Sequence, residues 1–205
     1  MKKTTVLLSL LAAIGLTTTA QAQVRFGVKG GVNLSSYSGL TKEQKEIDEN
    51  LVNANGGVMM NAPLSDDGFF SIQPELLYSG KGIKFKFDGG ETVERTHYVD
   101  LPILAKINAD GFIFEAGPQV GYMVTRKGTL TAGGETAEDS DFNGVNRFDL
   151  GYVAGVGYEL ESGLGFGIRY NGGLLDVAKE VDGQETFNTK NSVFQFQVGY
   201  LFGGK

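Results

Sequence analysis

The sequence predicts an all-β fold, an eight-stranded antiparallel up-and-down transmembrane β-barrel. Three observations predict it. Large apolar side chains recur on one parity of every strand-like stretch, while Gly, charged and amide side chains occupy the other. This period of two recurs about eight times with little room for helix. Connections between the stretches alternate between short and long. Membrane barrels use short periplasmic turns and longer external loops in that way, and they put the apolar face toward lipid.

The start of the chain reads as an export signal. Lys2 and Lys3 precede the apolar run Val6 to Leu16, and Ala20-Gln21-Ala22 is a small-x-small cleavage site. Residues 1–22 are therefore expected to be a signal peptide and 23–205 the barrel domain. The apolar run is too short to cross a membrane as a helix.

The first strand spans about Val24 to Leu34, with Val24, Phe26, Val28, Val32 and Leu34 on one face and Arg25, Lys29 and Asn33 on the other. In the second, about Leu51 to Ala62, Val52, Ala54, Val58 and Met60 alternate with Asn53, Asn55 and Asn61. The third, Phe69 to Gly80, sets Phe70, Ile72, Leu76 and Tyr78 against Ser71, Gln73, Glu75 and Ser79. The fourth sets Val99, Leu101, Ile103, Ala105 and Ile107 against Tyr98, Asp100 and Lys106. The fifth sets Phe112, Phe114, Ala116, Val120, Tyr122 and Val124 against Glu115, Gly117, Gln119 and Gly121. The sixth sets Phe148, Leu150, Tyr152, Val156, Tyr158 and Leu160 against Arg147, Asp149, Gly151, Gly155 and Glu159. The seventh sets Leu164, Phe166, Ile168 and Tyr170 against Gly165, Gly167, Arg169 and Asn171. The eighth sets Phe194, Phe196, Val198, Tyr200 and Phe202 against Gln195, Gln197 and Gly199.

Pro63 to Gly68, Asn108 to Gly111 and Glu161 to Gly163 read as short turns. Ser35 to Asn50, Gly82 to Glu94, Arg126 to Gly144 and Asp176 to Lys190 read as long external loops. An even strand count places both termini in the periplasm, with no separate domain after the last strand. Phe26, Phe70, Phe112, Tyr158, Phe166 and Phe202 then fall near the short-turn end, and Tyr78, Tyr122, Phe148 and Phe194 near the long-loop end. From Phe70 to Tyr78 is roughly 26 Å of strand, or about 19 Å along the normal at ~45° tilt, close to an apolar band of ~25 Å. Two aromatic belts are expected.

Composition narrows the function. The chain has no Cys, which excludes disulfides, thiolate catalysis and Cys-based zinc sites. Its formal net charge is −6, becoming −8 once Lys2 and Lys3 are removed, and such a chain repels nucleic acid. A soluble lipocalin-like barrel is the competing fold. It would crowd the many aromatics into a lumen wide enough only for ordinary filling or one small ligand.

The expected interior charges are Arg25, Lys29, Glu75, Glu115, Arg147, Asp149, Glu159 and Arg169, balanced in sign. In a narrow lumen they are expected to pair as a salt-bridged plug, since unpaired buried charge is costly. The alternative is the selectivity lining of a narrow pore for ions or small solutes. A rim enzyme of acyl-transfer or hydrolase type would need His97, the only His, to orient a nucleophile such as Ser79, and no motif surrounds either residue. No catalytic residue, metal or cofactor is expected. Asp139, Asp141, Asn143 and Gly144 match the first half of an EF-hand loop, but Leu150 stands where the bidentate Glu belongs. Thr41 and Gln44 read as a capping box opening a short helix through Lys45 to Glu49. Gly155-Val156-Gly157 and Gly165-Phe166-Gly167 open no helix and read as strand glycines rather than nucleotide-binding loops.

Several stretches carry a family resemblance: Phe26-Gly27-Val28-Lys29-Gly30-Gly31-Val32-Asn33, Gln73-Pro74-Glu75-Leu76-Leu77-Tyr78 with Gly80-Lys81-Gly82, and Tyr98-Val99-Asp100-Leu101-Pro102-Ile103-Leu104. Gly117-Pro118-Gln119-Val120-Gly121, Ala154 through Leu160, and Arg169-Tyr170 with Gly173-Leu174 complete the set. Together they resemble the PorT-type outer-membrane β-barrel proteins of Gram-negative bacteria. That resemblance implies an outer-membrane location among lipids and lipopolysaccharide. It also implies that the barrel insertion machinery, which reads a last strand ending as this one does at Phe202, handles the chain during biogenesis. A monomer is expected.

Overall fold

The computed structural model describes residues 24–179 and 188–203. The expected signal peptide lies outside the described residues. Ten strands and one short helix follow in order: β1 (Arg25–Ser38), α1 (Lys42–Ile47), β2 (Asp48–Glu49), β3 (Leu51–Pro63), β4 (Phe70–Phe87), β5 (Gly90–Ala109), β6 (Phe112–Ala132), β7 (Glu135–Asp139), β8 (Phe148–Glu159), β9 (Leu164–Gly173) and β10 (Lys190–Leu201).

Every pairing among these strands is antiparallel. From β1 the pairing passes through β3, β4, β5, β6, β8, β9 and β10 and comes back to β1. The short strands β2 and β7 add to β4 and β6 outside that path. The register keeps the two faces apart. Val32, Phe196, Ile168, Val156 and Phe114 lie in one exposed cross-strand row. Asn33, Asn55, Ser79, Glu75, Arg169, Gln195 and Asp149 are buried on the opposite face. A lipocalin-like arrangement would be the reverse, with the apolar side chains enclosed.

The tight turns sit where the sequence marks them. Asp110 and Gly111 join β5 to β6 with φ 51° and 94°, the two positive values that a two-residue hairpin requires. Asp67 receives the backbone N–H of Phe69 at 3.0 Å in the β3–β4 turn.

Three of the expected long loops are more ordered than the alternation suggested. The segment Gly82–Glu94 is a hairpin: β4 continues to Phe87, turns at Asp88-Gly89, and returns as β5 from Gly90. Asp-Gly is a strong hairpin signal, and the preceding Lys-Phe alternation extends the strand beyond the apolar band. Within Arg126–Gly144, β6 runs to Ala132 and turns at Gly133-Gly134 into β7. In the first loop the capping box forms as read, with Thr41 and Gln44 bonding reciprocally. Its helix covers Lys42–Ile47 rather than reaching Glu49, because Asp48 and Glu49 pair instead with Phe85 and Lys84. Part of the fourth loop lies outside the described residues.

Candidate functional site

The polar face encloses two charged layers. In the layer nearer the short turns, Arg169 on β9 reaches across to β4 and β6. Its Nη1 and Nη2 donate to the Glu75 carboxylate at 2.8 and 2.9 Å, and Nη2 also donates to Glu115 Oε2 at 2.8 Å. Its Nε donates to the other Glu115 oxygen. The guanidinium fork thus makes a double-sided bridge, the strongest geometry such pairs adopt. Lys29 on β1 donates to the same Glu75 at 2.7 Å and to Gln197 at 3.3 Å. Glu159 on β8 takes Arg25 at 2.9 Å and Lys106 at 2.7 Å, and Lys106 also touches Gln73.

In the second layer Lys81 on β4 is fully enclosed. Its Nζ lies 3.2 Å from Asp100 and 3.3 Å from Asp149, with the Tyr98 ring centroid at 4.3 Å. Asn191 donates to Asp149 at 3.0 Å. Amide side chains run along the same wall: Gln197 donates to Asn55, Gln195 to Asn33, and Asn33 to Ser79.

Inward glycines make this possible. A Cβ on Gly155 would stand 2.7 Å from Arg169 Cγ, and one on Gly121 would stand 2.5 Å from Asp100 Oδ1. A partly open cavity of about 60 Å³ lies at the short-turn end, beside Lys29, Lys106, Glu115 and Arg169.

Seven of the eight interior charges expected from the sequence lie in these layers. Arg147 does not. Its Nε donates to the Met123 carbonyl, and its guanidinium stacks on Tyr122 and Phe142 at 4.7 and 4.4 Å. It sits at the rim because the backbone of Arg147 closes onto Met123 where β8 is just starting. Three interior charges were absent from the expected set: Lys81, Asp100 and Lys106. All three share parity with residues that were in it or beside it, and Lys81 continues the face of Glu75 and Ser79 past the point where β4 was expected to end.

At the other end, Val145 and Phe142 pack on the buried Tyr98 and Met123. Val145 bridges Ala178, and Asn146 holds the carbonyls of Asp176 and Ala178.

The remaining candidates separate. His97 stacks on the exposed Tyr78 at 5.3 Å, whereas Ser79 is buried inside and bonded to Asn33, so the two lie on opposite faces of the wall. In the partial EF-hand loop, Arg126 donates to Asp139 at 2.9 Å and to the Asp141 carbonyl at 2.6 Å. Among the described residues no group of three or more Asp, Glu, His or Cys side chains is placed to hold a metal.

The aromatics of the expected belts face outward. Phe26, Phe112, Phe166 and Phe202 are exposed toward the short-turn end, Tyr158 packs edge-on to Phe112, and Phe70 is half-buried. Tyr78, Tyr122 and Phe148 share a row with Val99 toward the other end. Phe194 lies elsewhere, in register with Tyr170 and Ala154.

No curated protein matches this chain. Among solved structures it is similar to Ail, the attachment invasion locus protein of Yersinia pestis, at 11% identity and TM-score 0.49, covering 88% of this chain and 99% of that one. It is also similar to Neisserial surface protein A, at 12% identity and TM-score 0.45, covering 86% and 96%. The outer membrane protein OprG from Pseudomonas aeruginosa shows 12% identity and TM-score 0.41, covering 92% and 100%. Residues 19–179 match the family described as the outer membrane protein beta-barrel domain. That match spans most of the chain, which therefore belongs to this family of small outer-membrane β-barrel proteins.

Proposed function

We propose that residues 23–205 form a closed, eight-stranded, up-and-down barrel spanning the outer membrane of a Gram-negative bacterium, with residues 1–22 as its export signal. The barrel is a monomer whose polar lumen is plugged. It acts without catalysis, as a structural or docking element presented at its outer end by the hairpins β4–β5 and β6–β7 and the flanking loops. Both termini face the periplasm, and the insertion machinery handles the last strand during assembly. Within its family we read the chain as PorT-type, on the motifs around Lys29, Glu75 and Asp100.

The observation that carries the reading is the Arg169 bridge. A side chain anchored on β9 spans the interior to carboxylates on β4 and β6. Eight strands leave room for side chains and little else. The packing of Phe142 and Val145 on Tyr98 supports closure at the outer end as well.

Purified protein reconstituted in a planar bilayer tests this reading. A silent membrane is expected, together with a heat-modifiable band on an unboiled gel. Discrete single-channel steps from the unmodified protein would replace the plug by a narrow pore.

A further inference from the structure

The β4–β5–β6 sheet rises past the exposed apolar row and carries an unusual cross-strand pair on its outer side. Arg95 and Lys127 are directly opposite each other in register. Arg95 shares its face with His97 and the exposed Val99, so it points away from the interior. Lys127 is exposed too, and it gains that direction from the irregularity beside His97 and Tyr98, which turns both Val124 and Thr125 outward. The third residue of the row, Gly82, offers no side chain.

Like charges directly opposite in a sheet are unfavourable unless an anion lies between them. Carboxylates on this face are already engaged. Glu138 binds Lys127 at 2.8 Å, Glu91 binds Lys84 at 2.8 Å, and Glu49 binds Lys86 at 2.8 Å. Among the described residues Arg95 makes no ion pair, although the Glu91 carboxylate is close enough to feel its charge. The Lys127–Glu138 pair is more than half exposed on both sides, and such a pair holds its lysine weakly.

Height selects the anion. Val99 lies in the row of Tyr78 and Tyr122, where the apolar band ends. Arg95 is four residues further along, about 13 Å of strand and roughly 9 Å along the normal at a ~45° tilt. That is the level of lipid headgroups. We propose that Arg95 and Lys127 clamp the phosphate of an anionic outer-leaflet lipid, with the guanidinium taking two oxygens and the ammonium a third. A chain of net charge −6 thus keeps a cationic point where a lipid phosphate lies.

This inference rests on the transmembrane reading, and the test separates the two. The full protein is folded into phosphatidylcholine vesicles containing either diphosphorylated lipid A or lipid A stripped of its phosphates. Lipid retained after detergent extraction is counted by native mass spectrometry. The wild type should retain the phosphorylated form about tenfold over the stripped form, the order expected of a bidentate charge-assisted contact. Arg95→Glu should abolish that preference. Because the new carboxylate would pair with Lys127, its thermal midpoint in neutral vesicles should equal or exceed that of the wild type. A folded wild type without preference, or a preference that survives Arg95→Glu, overturns the clamp. Full competition by inorganic phosphate overturns the lipid as its source. Failure to give a heat-modifiable band in any vesicle overturns the membrane reading itself, and the clamp with it.

Discussion

Arg169→Met is the sharpest probe of the interior. The guanidinium makes all of the ion pairing that Glu115 has among the described residues, whereas Glu75 also holds Lys29 and accepts from Gln73, both at 2.7 Å. Removing Arg169 therefore strands one buried carboxylate and weakens a second. Breaking a buried pair by deleting one partner costs about 3–5 kcal/mol, chiefly from the charge left behind. Adding Glu115→Gln removes that charge at nearly constant volume and should return about 2 kcal/mol. Arg147→Met, a change of the same kind at the rim, loses only stacking and one carbonyl contact and should cost about 1 kcal/mol. Equilibrium urea unfolding in phospholipid vesicles, scored by unboiled gel mobility, ranks the three variants. If Arg169→Met costs under ~1 kcal/mol, or if the double variant is no better than the single, the buried-charge reasoning fails.

Further outcomes follow from particular contacts. Gly121→Val drives a Cβ into Asp100 and should displace it from Lys81, costing about 1–3 kcal/mol by the same unfolding assay. Thr41→Ala removes the cap of α1 and should speed amide exchange across Lys42–Ile47, with a local loss of about 1 kcal/mol and unchanged global stability. The Asp67 carboxyl, held below the usual Asp range by the Ser65 hydroxyl and the Phe69 N–H, should show a depressed NMR titration midpoint. Its small stabilisation of the turn is complete above the ordinary Asp range and lost as pH falls through the lowered value, and Asp67→Asn should remove that dependence. Calorimetry should detect no Ca²⁺-dependent heat at the Asp139–Gly144 segment, since Arg126 already occupies Asp139 and the Asp141 carbonyl.

The alternation of side chains carried most of the architecture into view, because a period of two reports which face each residue occupies without any knowledge of neighbours. Phe194 to Phe202 and Phe112 to Tyr122 could be sorted that way, and the exposed and buried faces of β10 and β6 follow the same parity. Parity fails where the backbone changes phase. At the irregularity beside Tyr98, both Val124 and Thr125 face outward, so Arg126 turns in toward Glu94 and Lys127 turns out. No side-chain pattern announces such a slip. Strand ends failed for a different reason. A strand that leaves the apolar band loses its large outward residues, and Lys84 to Phe87 then looks like loop although its hydrogen bonding to β5 is continuous.

Partner choice inside the wall depends on which strands lie across from each other, and parity along one strand cannot supply that. The outcome nevertheless obeys a simple constraint. The described interior holds Arg25, Lys29, Lys81, Lys106 and Arg169 against Glu75, Asp100, Glu115, Asp149 and Glu159, five of each sign. The balance is exact only across both layers: the Lys81 layer holds two carboxylates to one ammonium, and the Arg169 layer holds four cations to three carboxylates. A single excess charge per layer is tolerable if the layers face each other through polar groups, and the amides of Gln197, Asn55 and Asn33 provide that path along one wall. Neutrality of the whole is what the proposed plug requires. A pore lined to select ions would keep a net sign and an open bore, whereas here each charge is committed to a partner on another strand.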